Sequence, residues 1–397
     1  MLEGQGKLAM KAKTIVLTGG GSGGHITPIL SVAEVLTKEA PEYKLVYVGQ
    51  KNDPMVEHMK QSPLFSKVYV VRAGKLRRYH GEGLKQLLDV RTMLKNARDM
   101  IFVVIGFFQS LKLLTELQPK VLFCKGGYVG VPLGLAAALK RIPYVTHDSD
   151  VVPGLANKII SRWASVHAVA LPKEQYDYPA HKTVTVGVPV QRRFKKVTDE
   201  LQAAAKLRLG IPKTAPVLLV IGGGLGAEAI NNAVLAAAPT LMKNHEKLHI
   251  LHVAGQKSEL IVRSAYEDMK NDIFKRVHVY GFTNDVATLG EAATVVITRA
   301  GATNLAEFSL QAKACIIVPH PGLAGGHQLK NAKAYAGAGA ALVLQEDQFA
   351  KLEEVVTLLL LNTQKRLELS EKIELYATKN AAHALAGVIV TVAQKSK

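Results

Sequence analysis

The chain has 397 residues, 48% of them apolar, so it can bury a sizeable core, and its composition excludes a disordered polypeptide. At roughly 150 residues per domain it is too long for one ordinary domain and predicts two or three. A formal net charge of +18 points to a polyanionic partner, while two cysteines in apolar runs, Cys124 and Cys315, suit buried free thiols in a reducing compartment and exclude a disulfide framework or zinc-thiolate cluster.

The first residues, MLEGQGKLAMKAK, lack the apolar core of a signal peptide, and no uninterrupted apolar run reaches the roughly 18 residues that a membrane span needs. The expectation is a soluble or peripheral protein. TIVLTGGGSGGHITPILSVAEVL then reads as a strand, a glycine loop and a helix opening near His25. KLVYVGQ is the second strand. Between residues 61 and 120 eleven Lys and Arg stand against four acids, interleaved with Leu, Met and Phe. Basic residues among exposed apolar ones fit an anionic membrane surface better than a nucleic acid. The nine-residue centre, MIFVVIGFF, is too short to cross and would otherwise be a buried helix or strand.

Further on, VLFCKGGY, PYVTHDSD and VHAVALP continue the rhythm of an apolar strand followed by a turn. Continuous apolar strands alternating with helices predict parallel sheets covered on both faces. The pattern restarts once: VLLVIGGGLGAE repeats the grammar of TIVLTGGGSGGH about 200 residues later. LHILHVAGQ, VHVYGF, TVVITRAG and ACIIVPH complete a second half. The stretch VGVPVQRRFKK at residues 186–196 is the natural linker. The last helical pattern, ending HALAGVIVTVA, could pack on either half.

Glycine loops between a strand and a helix aim backbone N–H groups and the helix dipole at an anion. Gly19, Gly21 and Gly24, and Gly222, Gly224 and Ala227, formally match a dinucleotide fingerprint. That fingerprint wants an acid at the end of the second strand, and here Gly49 and Gln50 stand there. No Walker lysine follows either loop. DSD at residues 148–150 fits an Asp-x-Asp metal motif, but the fold that uses it leaves both glycine loops unexplained.

Together, TGGGSGGHITPILSVAEVL, CKGGYVGVPLGLAAALKRIPYVTHDSDVVPGLANK, VIGGGLGAEAIN and TRAGATNLAEF…VPHPGLAGGHQLKNA resemble the MurG family of UDP-N-acetylglucosamine transferases. These add GlcNAc to lipid-linked muramyl pentapeptide in peptidoglycan synthesis. The resemblance implies an α/β GT-B fold, two Rossmann-like domains whose parallel sheets face a central cleft. Residues 1–189 would form the acceptor and membrane domain, 190–374 the UDP-sugar domain, and a helix at about 375–397 could return to the first. It implies a peripheral enzyme on the cytoplasmic face of the cell membrane, needing no cofactor and no metal. The implied partners are UDP-GlcNAc, a lipid-linked diphosphate acceptor, an anionic membrane and cell-wall synthesis proteins, with no nucleic acid.

By the same resemblance His25 and Asp148 are the two candidates for the base that takes the acceptor's proton. Gly20, Gly21, Ser22, Gly23, Gly24, Tyr128 and Asp150 would receive the acceptor diphosphate. Gly223, Gly224 and Gly226 would hold the UDP phosphates, and Phe282 would flank the uracil. Glu307 would take the ribose hydroxyls, Ala302, Thr303 and Asn304 would meet sugar or phosphate, and His327 and Gln328 would read GlcNAc. Three positions depart from the family pattern: Gln191 replaces a linker arginine, for which Arg192 or Arg193 could stand in, Gly224 a serine, and Asp150 an asparagine. They leave two alternatives open, a UDP-sugar transferase to diacylglycerol or another lipid, and a sugar-nucleotide-binding or membrane scaffold subunit.

Overall fold

A computed structural model describes residues 13–20, 23–53, 55–75, 90–222, 228–269, 271–322 and 326–396. The first half runs β1 (Lys13–Thr18), α1 (Gly23–Glu39), β2 (Tyr43–Gln50), α2 (Met55–Gln61), β3 (Lys67–Val71) and α3 (Val90–Leu117). It continues with β4 (Val121–Cys124), α4 (Gly130–Leu139), β5 (Tyr144–Asp148), α5 (Leu155–Ile160), β6 (Val166–Val169) and β7 (Thr183–Thr185). The second half opens with α6 (Asp199–Arg208), β8 (Val217–Ile221), α7 (Glu228–Asn244), β9 (His249–Val253), α8 (Glu259–Glu267), α9 (Asn271–Phe274) and β10 (Val277–Tyr280). There follow α10 (Val286–Ala292), β11 (Val295–Arg299), α11 (Ala302–Leu310), β12 (Cys315–Val318), α12 (His327–Gly337), β13 (Leu342–Val343), α13 (Leu352–Leu361), α14 (Thr363–Glu374) and α15 (Ala381–Lys395).

Each half holds one parallel sheet, ordered β3-β2-β1-β4-β5-β6-β7 and β10-β9-β8-β11-β12-β13. Every residue of β4, β5, β8, β11 and β12 is buried, because helices cover both faces and the continuous apolar runs have no solvent side. Cys124 and Cys315 are buried free thiols on two of these strands. In both sheets the chain reverses direction of growth between its first and fourth strands, β1 beside β4 and β8 beside β11. The C-terminal ends of strands at such a point splay their following loops apart and leave a crevice.

Helix α15 follows the second half in sequence but packs on the first. Leu385, Ile389 and Val392 share one core with Ile29, Val32 and Leu36 of α1 and with strands β1, β4 and β5. The two chain segments that run between the halves touch at Gly187 and Thr378. A Cβ on Gly187 would lie 2.5 Å from the Thr378 Cβ, and φ there is +84°, so this crossing requires glycine.

Helix α3 corrects one expectation. MIFVVIGFF is the middle of a 28-residue helix that is, by length and composition, long and apolar enough to cross a membrane. Arg91, Lys95, Arg98, Asp99, Lys112 and Glu116 interrupt the apolar run in sequence, but between Asp99 and Lys112 the helix carries no charge. One side lies on the first domain, where Asp99, Gly106, Ser110, Leu113 and Leu114 are buried. The other exposes Met93, Leu94, Met100, Ile101, Val104 and Phe108.

Candidate active site

The first crevice is built where β1, β4 and β5 end. After β1 the chain turns through Gly19 and Gly20, and His25 lies in the first turn of α1, half-buried. Its Nδ1 is 2.9 Å from the Gly20 carbonyl oxygen. A carbonyl can only accept, so Nδ1 carries the proton and Nε2 the lone pair. Burial, reinforced by the Lys125 charge and opposed by the Gly20 bond, Asp150 and Asp53, pushes the His25 pKa down to about 4. The loop after β4 closes tightly over this turn: a Cβ on Gly127, whose φ is +81°, would come within 2.5 Å of the Gly20 oxygen. Tyr128 follows, partly buried. Gly23 and Gly24 begin α1, while Gly21 and Ser22 lie outside the described residues.

Asp148, at the end of β5, is buried with both oxygens engaged. Oδ1 accepts from the Gly154 amide at 3.0 Å and from Asn157 Nδ2 at 3.0 Å, and Oδ2 accepts from the Tyr178 hydroxyl at 2.9 Å. Burial pushes its pKa up, against those three hydrogen bonds and Lys125. Asp150 reaches across to the second half, where its Oδ1 accepts from Asn331 Nδ2 at 2.9 Å; Asn331 also donates to the Ala300 carbonyl. A second bond crosses nearby, from Thr303 Oγ1 to the Gly24 carbonyl at 3.2 Å. The two halves thus meet at the glycine loop of one and the TRAGATN turn of the other.

On the second side β11 ends in Arg299 and Gly301 precedes α11. Ala302 begins that helix, Thr303 and Glu307 are buried on it, and Asn304 donates to Thr298 Oγ1 at 3.1 Å, so its amide braces the turn. Burial pushes the Glu307 pKa up to about 8, against the Arg193 charge. Arg193 donates to the Asn284 carbonyl and lies 3.6 Å from Asp285. Among the described residues no side-chain hydrogen bond of Gln191 reaches this group, so of the linker residues it is Arg193 that the fold brings to Glu307. Phe282, after β10, is 53% exposed, and His327 opens α12 with a buried Nδ1 that has no partner among the described residues. Gln328 Oε1 accepts from the His320 amide at 2.9 Å. Gly223, Gly224 and Gly226 lie outside the described residues.

Four further residues of the crevice, Lys125, Asn157, Tyr178 and Asn331, were not singled out from the sequence. Lys125, Asn157 and Asn331 stand inside the quoted blocks CKGGY, GLANK and HQLKNA, where their polar character next to glycine turns was the available signal. Tyr178 is 30 residues from Asp148, and nothing local marks the pair.

Two Rossmann-like halves closing on one crevice at paired switch points define the GT-B architecture. Models of the glycosyltransferase family 28 N-terminal and C-terminal domains match residues 15–169 and 217–385. The chain belongs to this family and, within it, to the MurG enzymes. It is 30% identical over 383 residues to the UDP-N-acetylglucosamine–N-acetylmuramyl-(pentapeptide) pyrophosphoryl-undecaprenol N-acetylglucosamine transferase of Clostridium kluyveri, covering 95% of this chain and 99% of that one. A relative of the same name from Bacillus cereus is 32% identical over 338 residues, 84% of this chain and 87% of its own. The crystal structure of Acinetobacter baumannii MurG superposes with a TM-score of 0.68 at 25% identity over 96% of this chain and 99% of that one. A Neisseria meningitidis UDP-GlcNAc 2-epimerase bound to UDP-GlcNAc, at TM-score 0.63 and 13% identity over 95% of this chain and 100% of that one, shares the fold alone.

Proposed function

We propose that the chain moves GlcNAc from UDP-GlcNAc to a lipid-linked muramyl pentapeptide, with inversion at the anomeric carbon. The observation that carries this is full-length similarity to transferases of that name, joined to a crevice with a histidine on one wall and a buried glutamate on the other. Residues 1–189 with α15 form the acceptor domain, and residues 190–374 the donor domain.

His25 Nε2 takes the proton from the attacking hydroxyl as the bond to the anomeric carbon forms and UDP departs. Asp148, its oxygens filled by three donors, instead holds the loop from β5 to α5 in place. Amides of the second glycine loop and the N-terminus of α7 receive the departing diphosphate, whose charge they stabilise without reorganising. Glu307 accepts from the ribose hydroxyls with Arg193 beside it. Asp150 and Asn331 join the walls across the crevice, a contact that also brings Thr303 to the acceptor loop. Incubating the protein with lipid I and each of UDP-GlcNAc, UDP-glucose and UDP-galactose tests this function: lipid II forms with the first donor at least about 100-fold faster than with the others. Equal rates with the three, or transfer to diacylglycerol instead, would overturn it.

The exposed apolar face of α3 lies on the cytoplasmic surface of an anionic membrane. Met100, Ile101, Val104 and Phe108 sit beside the exposed charges of Arg98 and Lys112, so burial of apolar area adds to attraction for lipid phosphates. Helix α3 lies on the membrane rather than through it, because its opposite side is covered by the first domain. Vesicles containing phosphatidylglycerol are expected to sediment the protein and phosphatidylcholine vesicles not. The double variant Met100→Glu, Phe108→Glu loses the binding with its melting temperature unchanged, since both side chains already face water. Equal sedimentation of variant and parent would rule the face out.

A further inference from the structure

We propose that Lys125 is an anion-binding residue of the acceptor crevice, its ammonium pairing with the acceptor's diphosphate beside His25. This rests on the transferase function proposed above and adds a cation that the glycine loop alone lacks.

Lys125 follows β4 directly, and its amide donates to the Thr18 carbonyl at 2.9 Å, which fixes its backbone at the switch point. The residue is 3% exposed. Among the described residues its Nζ makes no hydrogen bond and no ion pair. The two other lysines buried among the described residues show how this fold houses such a group: Lys206 Nζ donates to the Lys213 carbonyl at 3.2 Å, and Lys313 Nζ donates to the carbonyls of Glu291 and Ala293 at 3.1 and 2.8 Å. A desolvated ammonium without such acceptors is costly, so the position is built for an acceptor that arrives from outside.

The surroundings select the kind of acceptor. The Cβ that Gly19 lacks would stand 3.1 Å from the Lys125 Cβ, so the first glycine loop and the lysine stem pack together. A Cβ on the next residue, Gly126, would lie 3.7 Å from His25 Nε2. The Lys125 charge acts on His25, His147 and Asp148, and Asp150 acts on it in turn. Neither carboxylate forms an ion pair with it: the Asp148 oxygens hold three other donors, and Asp150 Oδ1 is bonded to Asn331 across the crevice. The N-terminus of the 17-residue α1 opens onto the same place. A cation beside the N-terminus of a helix, reached through a glycine turn, selects a phosphate or diphosphate. In the transferase function proposed above the UDP diphosphate goes to the loop after β8 in the other half, which leaves this one to the acceptor.

The decisive variant is Lys125→Met, which keeps the length of the stem and removes the charge. The KM for the lipid-linked acceptor is expected to rise about ten-fold or more while the KM for UDP-GlcNAc stays within about two-fold. In the presence of saturating UDP, inorganic pyrophosphate is expected to raise the melting temperature of the parent protein and not of the variant. The variant itself melts at the same temperature or higher, because it no longer buries an unpaired charge. An unchanged acceptor KM, an equal rise in both KM values, or a melting temperature lowered by several degrees would overturn the proposal, the last by marking Lys125 as a structural ion-pair member. Should Lys125→Met fail to fold, Lys125→Gln carries the same comparison. If the parent protein transfers nothing from UDP-GlcNAc, the transferase function fails, and the pyrophosphate shift in saturating UDP still decides Lys125.

Discussion

Replacing His25 by alanine is expected to lower kcat by about 10²–10⁴-fold with the KM for UDP-GlcNAc nearly unchanged, the loss typical of removing a positioned general base. The imidazole is preset as a base, because Nδ1–H donates to the Gly20 carbonyl, the lone pair therefore sits on Nε2, and the group stays neutral down to about pH 4 in the open crevice. A pKa so low makes a ready but weak base. The forces on it are burial first and Lys125 second, opposed by Asp150 and Asp53. An acceptor diphosphate placed over Lys125 cancels that second contribution and adds negative charge, so the bound complex lifts the histidine pKa toward neutrality. Protonation removes the base, so activity falls as pH falls. The acid limb of kcat therefore lies at higher pH than the titration of His25 in the free protein. The measurements are the His25 Cε1–H titration by NMR in the free protein and the pH profile of kcat. A His25→Ala variant that keeps more than about a tenth of kcat, or an acid limb at the free-protein pKa, would place the base elsewhere.

Much of this architecture was legible in the chain. The strand, glycine loop and helix order appears twice, and each apolar strand is buried on both faces where its sequence is apolar throughout. The family blocks likewise fall at the two switch points. What escaped were features set by distant contacts. The apolar stripe of α15 suits either sheet, and only the matching surface of α1 decides. The 28-residue length of α3 was hidden by six charges spaced along it, since a run counted in sequence stops at each charge whereas a helix does not. Asp148 was legible as an acid after a strand, but the three hydrogen bonds to its oxygens come from Gly154, Asn157 and Tyr178, and the proposal of His25 over Asp148 as base rests on them. Lys125 stood in plain view before two glycines, yet its burial without an acceptor exists only in three dimensions.

Glu307→Gln is expected to separate donor affinity from stability. Burial raises the Glu307 pKa to about 8 even with Arg193 nearby, so the group is largely protonated at pH 7 before the nucleotide arrives. A carboxylate accepts from both ribose hydroxyls, and a carboxylic acid offers one of its oxygens as a donor instead. UDP affinity is therefore expected to rise with pH, by about ten-fold between pH 7 and 9 for a group that titrates near 8. In Glu307→Gln that dependence flattens, and binding at pH 9 weakens by about ten-fold or more. Stability changes in the opposite direction. The native pKa is raised above the unfolded one, so the ionised form is disfavoured in the folded state, and stability is lost as pH rises from the unfolded value through about 8. Gln removes that loss, and the variant is expected to melt a few degrees above the parent at pH 8.5, with the gap closing toward pH 5. Calorimetric titration with UDP and melting curves at the same pH values measure both. UDP affinity independent of pH between 7 and 9 would remove Glu307 from the ribose site, and equal melting at pH 8.5 would show that its burial costs nothing. A residue that weakens the empty fold while strengthening the occupied one is held for its ligand, and the two curves together make that distinction for Glu307.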